Sequence, residues 1–136
     1  MVGRQKNTAK VKLVSGQVQA GFATWAEDGF ERELSLDEYL IEHETATFMV
    51  RVSGDSMIEA GILEGDILVV DRSLEAKSGQ IVIAVVDGDL TVKRYLKLAS
   101  GEVELRPENK KFSAIVVPSG AEVVIWGVVT GVVRKL

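Results

Sequence analysis

The chain has 136 residues, of which 46% are hydrophobic and 26% charged, and its formal net charge is −4. This length supplies one ordinary hydrophobic core and is short for two domains, and the composition is that of a chain that folds rather than staying disordered. With no cysteine and one histidine, disulfide frameworks, thiolate metal clusters and cysteine nucleophiles are excluded.

Charge is unevenly distributed along the chain. The first 20 residues carry four basic side chains and no acidic one, which leaves a net charge near −8 on the remainder (−4 minus +4). A basic arm on an acidic body suits self-association or an anionic partner, and a solvated tail explains it equally well. Four charges are too few to indicate sequence-specific DNA binding.

No segment has the pattern of a membrane span or a signal peptide. The longest apolar runs, residues 81–86 and 123–129, are too short to cross a bilayer. Charged residues occupy the N-terminus, where a signal peptide requires an apolar run. Because the lack of cysteine also suits a reducing compartment, we expect a cytoplasmic protein without a membrane segment.

The N-terminal part is predicted to be an arm followed by a short helix. Residues 1–34 lack a sustained hydrophobic period and contain several glycines, which predicts a flexible arm with at most short strand pieces around residues 11–14. Residues 35–38, Ser-Leu-Asp-Glu, form a capping box that predicts a helix of about two turns. The predicted domains are therefore the arm, residues 1–34, and a folded body, residues 35–136.

From residue 46 onward the pattern alternates with period two and is rich in β-branched residues. A short loop with the sequence Asp87-Gly88-Asp89 separates two alternating runs and predicts a hairpin. Many short strands with tight turns favour a mostly β, twisted and partly closed antiparallel body over a parallel α/β sheet. Seven strands are predicted, at residues 47–52, 66–71, 80–86, 90–98, 103–106, 114–117 and 123–133.

A serine and a lysine are the strongest catalytic candidates. Ser56 follows a predicted strand within Val-Ser-Gly-Asp-Ser-Met, and Lys93 lies inside the apolar strand Leu-Thr-Val-Lys-Arg. A hydroxyl and an amine suffice for acyl transfer without histidine if the amine is neutral and directed at the hydroxyl. Free backbone N–H groups at this turn, those of Asp55 and Ser56, are candidates for an oxyanion hole.

Simpler interpretations of both residues remain open. A serine in this position is usually a helix cap, and a strand lysine usually protects an exposed edge. To act as a base near neutral pH, Lys93 must have a pKa far below its ordinary value near 10.4, which requires burial without an acid partner. Thr91, on the same strand face, is placed to orient the amine, although threonine is also simply a good strand former.

The remaining candidates are better explained by structure than by chemistry. His43 stands beside two glutamates, and no second histidine is available to complete a metal site. Trp126 is expected to pack in the core, whereas Trp25 suits a groove or an interface. Four aspartates at strand ends and in the hairpin fit turn chemistry better than a Mg²⁺ cluster, so no metal and no cofactor is predicted: Asp66, Asp71, Asp87 and Asp89.

Several motifs together resemble a known family. Residues 53–57, Gly61 with residues 64–71, residues 79–84 and residues 91–94 are similar, in the same order, to the self-cleaving domain of the LexA/UmuD family of Ser/Lys proteins. The resemblance covers roughly residues 15–136 and implies a signal-peptidase-like fold, as in the C-terminal domain of LexA. The UmuD branch is the closer likeness, because a LexA-type repressor would need a helix-turn-helix domain before the cleavage region.

The resemblance implies a role for each matching residue. Ser56 would be the nucleophile and Lys93 the general base of a self-cleaving serine endopeptidase. The bond that is cut would join Ala20 to Gly21, where a small residue and a glycine allow close approach to a buried serine. UmuD has a cysteine at the position of Ala20, whereas LexA-type repressors have alanine as here.

The same resemblance implies the biological setting. A RecA filament on single-stranded DNA would favour docking of the arm in the active site. Loss of residues 1–20 would then expose surface on a homodimer, which would serve as accessory subunit of a Y-family, UmuC-like translesion polymerase in the SOS response. Residues 35–136 would hold both the Ser/Lys site and the dimer contacts.

Two rival functions remain open on the sequence alone. The first is a non-catalytic protein-binding module of the same fold, in which Ser56 is a cap and Lys93 an edge charge. The second is a protease that acts on other chains, such as a signal peptidase, which the lack of a membrane anchor disfavours. Self-cleavage that requires both residues would distinguish these hypotheses from self-processing.

Overall fold

The computed structural model of the protein describes residues 8–14 and 29–136. These residues divide into two units, one ending at Glu42 and one comprising His43–Leu136. The described part is mostly β, with two antiparallel sheets and one short α-helix, which confirms the predicted fold class. Within it, no helix has the length and apolar character that a membrane span requires.

The first unit contains a two-stranded sheet and a helix. Strand β1 (Val11–Val14) pairs antiparallel with β2 (Phe30–Leu34). Helix α1 (Leu36–Leu40) follows, and the side chain of Ser35 accepts a hydrogen bond from Glu38 N at 3.5 Å, as the capping box predicted. The helix has five residues and is therefore shorter than the predicted two turns, because the backbone is already extended at Ile41.

Strand β2 was not predicted from the sequence. Its residues, Phe-Glu-Arg-Glu-Leu, alternate for only five positions, and three of the five are charged. So short and polar a segment has a weak strand signal by itself. It forms a strand through its pairing with β1, which lies 16 or more residues earlier in the chain and is not visible as a local pattern.

The second unit is a seven-stranded antiparallel sheet with the order β3-β4-β9-β5-β6-β7-β8. The seven strands lie where the sequence predicted them, each end within one residue. The longest strand, β9, pairs with β4 through its C-terminal half and with β5 through its N-terminal half. The strands are β3 (Thr47–Arg51), β4 (Ile67–Asp71), β5 (Ile81–Val86), β6 (Asp89–Lys97), β7 (Val103–Arg106), β8 (Ile115–Val117) and β9 (Val124–Val133).

The predicted hairpin sets the register of β6. Asp87 and Gly88 connect β5 to β6 with φ angles of 51° and 83°. Positive φ at both central residues is the requirement of a type I′ turn, which Asp-Gly satisfies readily. The turn pairs Val86 with Asp89 and thereby places Lys93 opposite Val82, a fully buried residue. A slip of one residue would turn Lys93 to the other face of the sheet.

Two clusters of buried side chains form the core of the second unit. The smaller cluster contains Val82, Ala84, Leu105 and Val128. The larger cluster, called the first cluster below, contains Met57. Met57, only 1% exposed, belongs to the first cluster and follows Ser56 directly, so the core fixes the turn that carries this serine. The first cluster consists of Val52, Met57, Ile62, Leu68, Val70 and Ile83, with Trp126 among the partly buried residues packed against it.

An ion pair joins the residue after β9 to the loop before β4. Arg134 donates from Nε and Nη2 to the Asp66 carboxylate at 2.6 Å each, and Nη2 also contacts Gly61 O at 2.9 Å. Leu63 N donates to the same carboxylate at 2.8 Å. The hydrogen bond from Arg134, followed by that from Leu63 N, lowers the pKa of Asp66 from 3.8 to about 2.

We expect this pair to make stability depend on pH in the acidic range. Because the pKa of Asp66 is lower in the folded state, the stabilisation is present above pH 3.8 and is lost as the pH falls toward 2. Asp66→Asn should therefore lower the Tm at neutral pH, and the Tm difference from wild type should shrink on acidification. Thermal unfolding followed by circular dichroism measures both effects.

The control for this prediction is Arg106→Gln, which removes a pair between Arg106 and Glu104 at the sheet surface, 3.1 Å long. Exposed pairs contribute little to stability, so its Tm should stay close to that of wild type. A Tm difference for Asp66→Asn that is the same at every pH would show that the carboxylate charge is not what stabilises this contact.

Candidate active site

Ser56 lies in a tight turn between β3 and a one-turn 3-10 helix (Ile58–Ala60). Gly54 has a φ of 87° and allows the chain to reverse after β3. After Ser56, the turn is held by Met57 O, which accepts hydrogen bonds from Ala60 N at 3.0 Å and Ile62 N at 3.2 Å. With Met57 buried, the serine side chain is held half-buried at the surface of the core.

Lys93 reaches the same turn from β6. Its side chain is buried, with the residue 9% exposed. Nζ lies 2.8 Å from Thr91 Oγ1, 3.1 Å from Val92 O and 3.5 Å from Ser56 Oγ. The fold thus brings together two side chains that are 37 residues apart in sequence. The distance to Ser56 is at the outer limit of a hydrogen bond.

The surroundings of Lys93 favour its neutral form. Burial lowers the pKa of Lys93 from its ordinary value of 10.5. Across residues 8–14 and 29–136, no carboxylate forms a salt bridge with its ammonium group. A neutral amine has two N–H groups and one lone pair. If the N–H groups donate to the oxygens of Thr91 and Val92, the lone pair is left for the hydroxyl of Ser56.

The backbone N–H groups of Asp55 and Ser56 are available at this turn. In the described part of the chain neither amide donates a hydrogen bond, whereas the neighbouring Gly54 N contacts the Glu64 carboxylate at 3.5 Å. Unused N–H groups beside a nucleophile are the usual components of an oxyanion hole. Both amides therefore remain candidates for an oxyanion hole, as expected from the sequence.

A groove runs beside the Ser/Lys pair. Its volume is about 160 Å³, and its lining includes Ser56 and Thr91 together with apolar side chains of β3, β4, β5 and β6. Strand β3 is at the edge of the sheet and pairs with β4 on one side. Arg51 and Ser53 also line the groove, which is therefore partly apolar. An edge strand next to such a groove is an arrangement that binds an extended peptide by strand addition. The apolar lining residues are Val50, Val52, Leu68, Ile83, Leu90 and Val92.

The loop between β7 and β8 also contacts the Ser56 turn, which the sequence analysis missed. Glu59 N donates to Glu108 O at 2.8 Å, and Glu108 N lies 3.4 Å from Met57 Sδ. Asn109, 6% exposed, donates from Nδ2 to Asp55 O at 2.8 Å. The segment Pro-Glu-Asn-Lys has only the signal of a turn, and nothing local indicates which distant backbone it contacts.

The other sequence candidates have structural contacts. Asp71 accepts hydrogen bonds from Ser73 N and Oγ and lies 2.6 Å from Nδ1 of His43, while Asp66 pairs with Arg134. Asp87 and Asp89 belong to the hairpin turn and its flank. None of the described residues forms a cluster of three or more metal-ligating side chains.

Trp126 packs as its apolar run predicted. It lies against the first core cluster with its ring 5.7 Å from that of Phe48, and the Arg72 guanidinium stands 4.4 Å from the centre of the indole. The proposed cleavage residues Ala20 and Gly21, and also Trp25, lie outside the described residues.

The chain is similar to known proteins over most of its length. The profile of a family described as Peptidase S24-like matches residues 12–130. Protein MucA of Salmonella typhimurium is 44% identical over 115 residues, which are 84% of this chain and 77% of MucA. LexA repressor 1 of Xanthomonas oryzae pv. oryzae and the LexA repressor of Bordetella pertussis are each 43% identical, over 90% and 88% of this chain. The chain spans 60% and 54% of those two repressors.

Proposed function

Because the chain belongs to the Peptidase S24-like family, we propose that it is a serine endopeptidase that cuts its own chain between Ala20 and Gly21. The observation that carries this proposal is the buried amine of Lys93, which contacts the hydroxyl of Ser56 and has no acid partner among the described residues. Burying a lysine in this way is costly, and a binding module that used only the groove would have no need of it.

The reaction proceeds in two steps that use the same amine. Neutral Lys93 takes the proton of Ser56 Oγ while the oxygen attacks the carbonyl carbon of Ala20. The N–H groups of Asp55 and Ser56 stabilise the negative charge on the carbonyl oxygen. Collapse of the intermediate breaks the bond to Gly21, whose amine takes the proton from Lys93. Lys93 then deprotonates a water molecule that hydrolyses the ester on Ser56.

The substrate segment suits the groove beside Ser56. Residues 18–22 are Val-Gln-Ala-Gly-Phe, with apolar side chains on both sides of a small central pair. An extended peptide along β3 would direct alternate side chains into the apolar lining, which includes Val50 and Leu68. Because substrate and site belong to one chain, the effective concentration is high, and docking of the arm controls the rate.

The resemblance to the LexA/UmuD family, together with the similarity to MucA, supports a UmuD-like role in the SOS response. In this role a RecA filament on single-stranded DNA in the cytoplasm favours the docked arm, and cleavage removes residues 1–20. The processed homodimer, held together by the body of residues 35–136, then serves as accessory subunit of a UmuC-like translesion polymerase. No metal or cofactor takes part.

Intact-mass measurement of the purified chain tests the proposal. We expect a new N-terminus at Gly21, formed at a rate that rises about tenfold per pH unit until Lys93 is neutral and then reaches a plateau. RecA filament assembled on single-stranded DNA should accelerate the cut at neutral pH, whereas RecA without DNA should not. A chain that stays whole at alkaline pH and with the filament would instead support the binding-module hypothesis.

A further inference from the structure

Asn109 is a buried side chain that contacts the turn of Ser56 from a distant part of the chain. It lies in the loop between β7 and β8, 54 residues from Asp55, and is 6% exposed. Its Nδ2 donates to Asp55 O at 2.8 Å, and its Oδ1 accepts from Lys111 N at 3.0 Å. Both the nitrogen and the oxygen of the carboxamide therefore form hydrogen bonds.

These two contacts fix the orientation of the carboxamide. If the amide were rotated by half a turn, Oδ1 would face the carbonyl oxygen of Asp55, and Nδ2 would face the N–H of Lys111. Both pairs would repel, and both groups would be left unsatisfied in a buried place. Asn109 is thus held as a donor to Asp55 O.

The hydrogen bond to Asp55 O also sets the direction of the N–H of Ser56. Both groups belong to the single peptide unit that joins Asp55 to Ser56, which is planar and trans, so the C=O and the N–H point in opposite directions. Asp55 O also accepts from Ile58 N at 3.3 Å, so the 2.8 Å hydrogen bond from Asn109 is the shorter of two that keep the plane from rotating about its flanking bonds. The Ser56 N–H, which has no hydrogen-bond partner in the described structure, is then kept pointing away from Asn109.

We propose that Asn109 is a positioning residue for the oxyanion hole. It holds the peptide plane whose N–H stabilises the developing charge, and it touches neither the substrate nor the reacting atoms. This inference rests on the proposed function, and it adds to it a residue outside the Ser/Lys pair and its turn. Donors of an oxyanion hole are effective because they are oriented before the reaction begins.

The loop that carries Asn109 is itself anchored on both sides of the site. Glu108 O accepts from Glu59 N at 2.8 Å, just after the Ser56 turn. Glu108 Oε1 lies 2.6 Å from Nε of Arg94, the residue after Lys93. One loop thus contacts the strand of the base and the turn of the nucleophile, so the position of Asn109 is fixed relative to both.

The substitution Asn109→Ser tests the proposal without changing charge. Its hydroxyl is able to accept from Lys111 N, as short polar side chains do in turns, but it is too short to reach Asp55 O. We expect the plateau rate of self-cleavage in the full chain to fall by about 10–100-fold. The pH midpoint of the rate should stay that of wild type, because the burial of Lys93 is unchanged.

The control is Lys110→Ser, which introduces serine at the exposed neighbouring position and should leave the plateau and the midpoint unchanged. A wild-type plateau in Asn109→Ser would overturn the inference alone. A reduced plateau accompanied by a shifted midpoint would also overturn it, since the loop would then act by shaping the surroundings of Lys93. If wild type itself is not cut, the proposed function fails, and the role of Asn109 falls with it.

Discussion

Ser56→Ala is expected to abolish self-cleavage, with a fall in rate of at least about 10,000-fold. Among the described residues, the hydroxyls of Ser56 and Thr91 contact the buried amine of Lys93, and the substitution removes the first of them. Without Ser56 Oγ no acyl-enzyme forms, and the remaining N–H groups of the turn have no tetrahedral intermediate to stabilise. Intact mass after prolonged incubation at alkaline pH measures the residual rate, and with RecA filament present the chain should also stay whole.

The fold should tolerate this substitution. Ser56 is half-buried, and the turn is held by the core contact of Met57 and by the hydrogen bonds of Met57 O rather than by the serine hydroxyl. The Tm of Ser56→Ala should therefore stay close to that of wild type. Ser119→Ala is the control, because Ser119 is exposed and lies outside the groove, and this variant should be cut like wild type. Cleavage that persists in Ser56→Ala would show that another residue is the nucleophile.

The β body could be predicted from the sequence because its strands carry a local signal. Each strand of the seven-stranded sheet contains at least one β-branched residue, in an alternating pattern or a short apolar run, and glycine or aspartate marks most of the turns. The Asp87-Gly88 pair also determines the register of β6, and this register places Lys93 opposite the buried Val82. These features depend on neighbouring residues only, and so periodicity was sufficient to find them.

The features that were missed depend on distant parts of the chain. Strand β2 forms because β1 offers it a partner, although Phe-Glu-Arg-Glu-Leu alone has the composition of a solvated segment. Asn109 becomes a structural donor because Asp55, 54 residues away, presents its carbonyl oxygen there. A sequence pattern reports the propensity of a segment and contains no information on which backbone group lies across a loop. Such contacts can be identified only in the folded structure.

The Ser/Lys pair is an intermediate case. Residue types and order suggested it, and the structure adds the 3.5 Å contact and the burial that lowers the pKa of Lys93. The strand alternation correctly placed Thr91 with Lys93, and the two side chains are 2.8 Å apart. The distance to Ser56 depends on how the turn after β3 packs against β6, which Met57 and the β7–β8 loop determine jointly. Neither contact has a local signature.

Lys93→Met should lower the plateau rate of self-cleavage by at least about 1,000-fold, because the hydroxyl of Ser56 then has no base. Methionine has a similar length and fills the same buried space without a charge. Lys97→Met, at the exposed end of the same strand, is the control and should be cut like wild type. A Lys93→Met chain that is still cut at a rate rising with pH would show that another group accepts the proton.

The same substitution should also change how stability depends on pH. The pKa of Lys93 is lower in the folded chain than its ordinary value of 10.5. Between these two values the unfolded chain binds more protons, so the free energy of unfolding rises with pH. The cost of burying the ammonium group is therefore fully present below the folded-state pKa and disappears as the pH passes 10.5. Lys93→Met lacks this cost, so its stability relative to Lys93 should be greatest at neutral pH and decline on alkalinisation.

Denaturant unfolding of both chains in the Ser56→Ala background, where the polypeptide stays whole, gives this difference at each pH. Any constant offset from repacking around the methionine cancels, because only the slope with pH is compared. A slope of zero would mean that Lys93 has the same pKa folded and unfolded and stays protonated at neutral pH. In that case Ser56 would have no base, and the groove would be left with a binding function alone. A measurable slope would instead show that the fold sacrifices stability to keep one amine neutral beside a hydroxyl, a trade typical of catalytic sites.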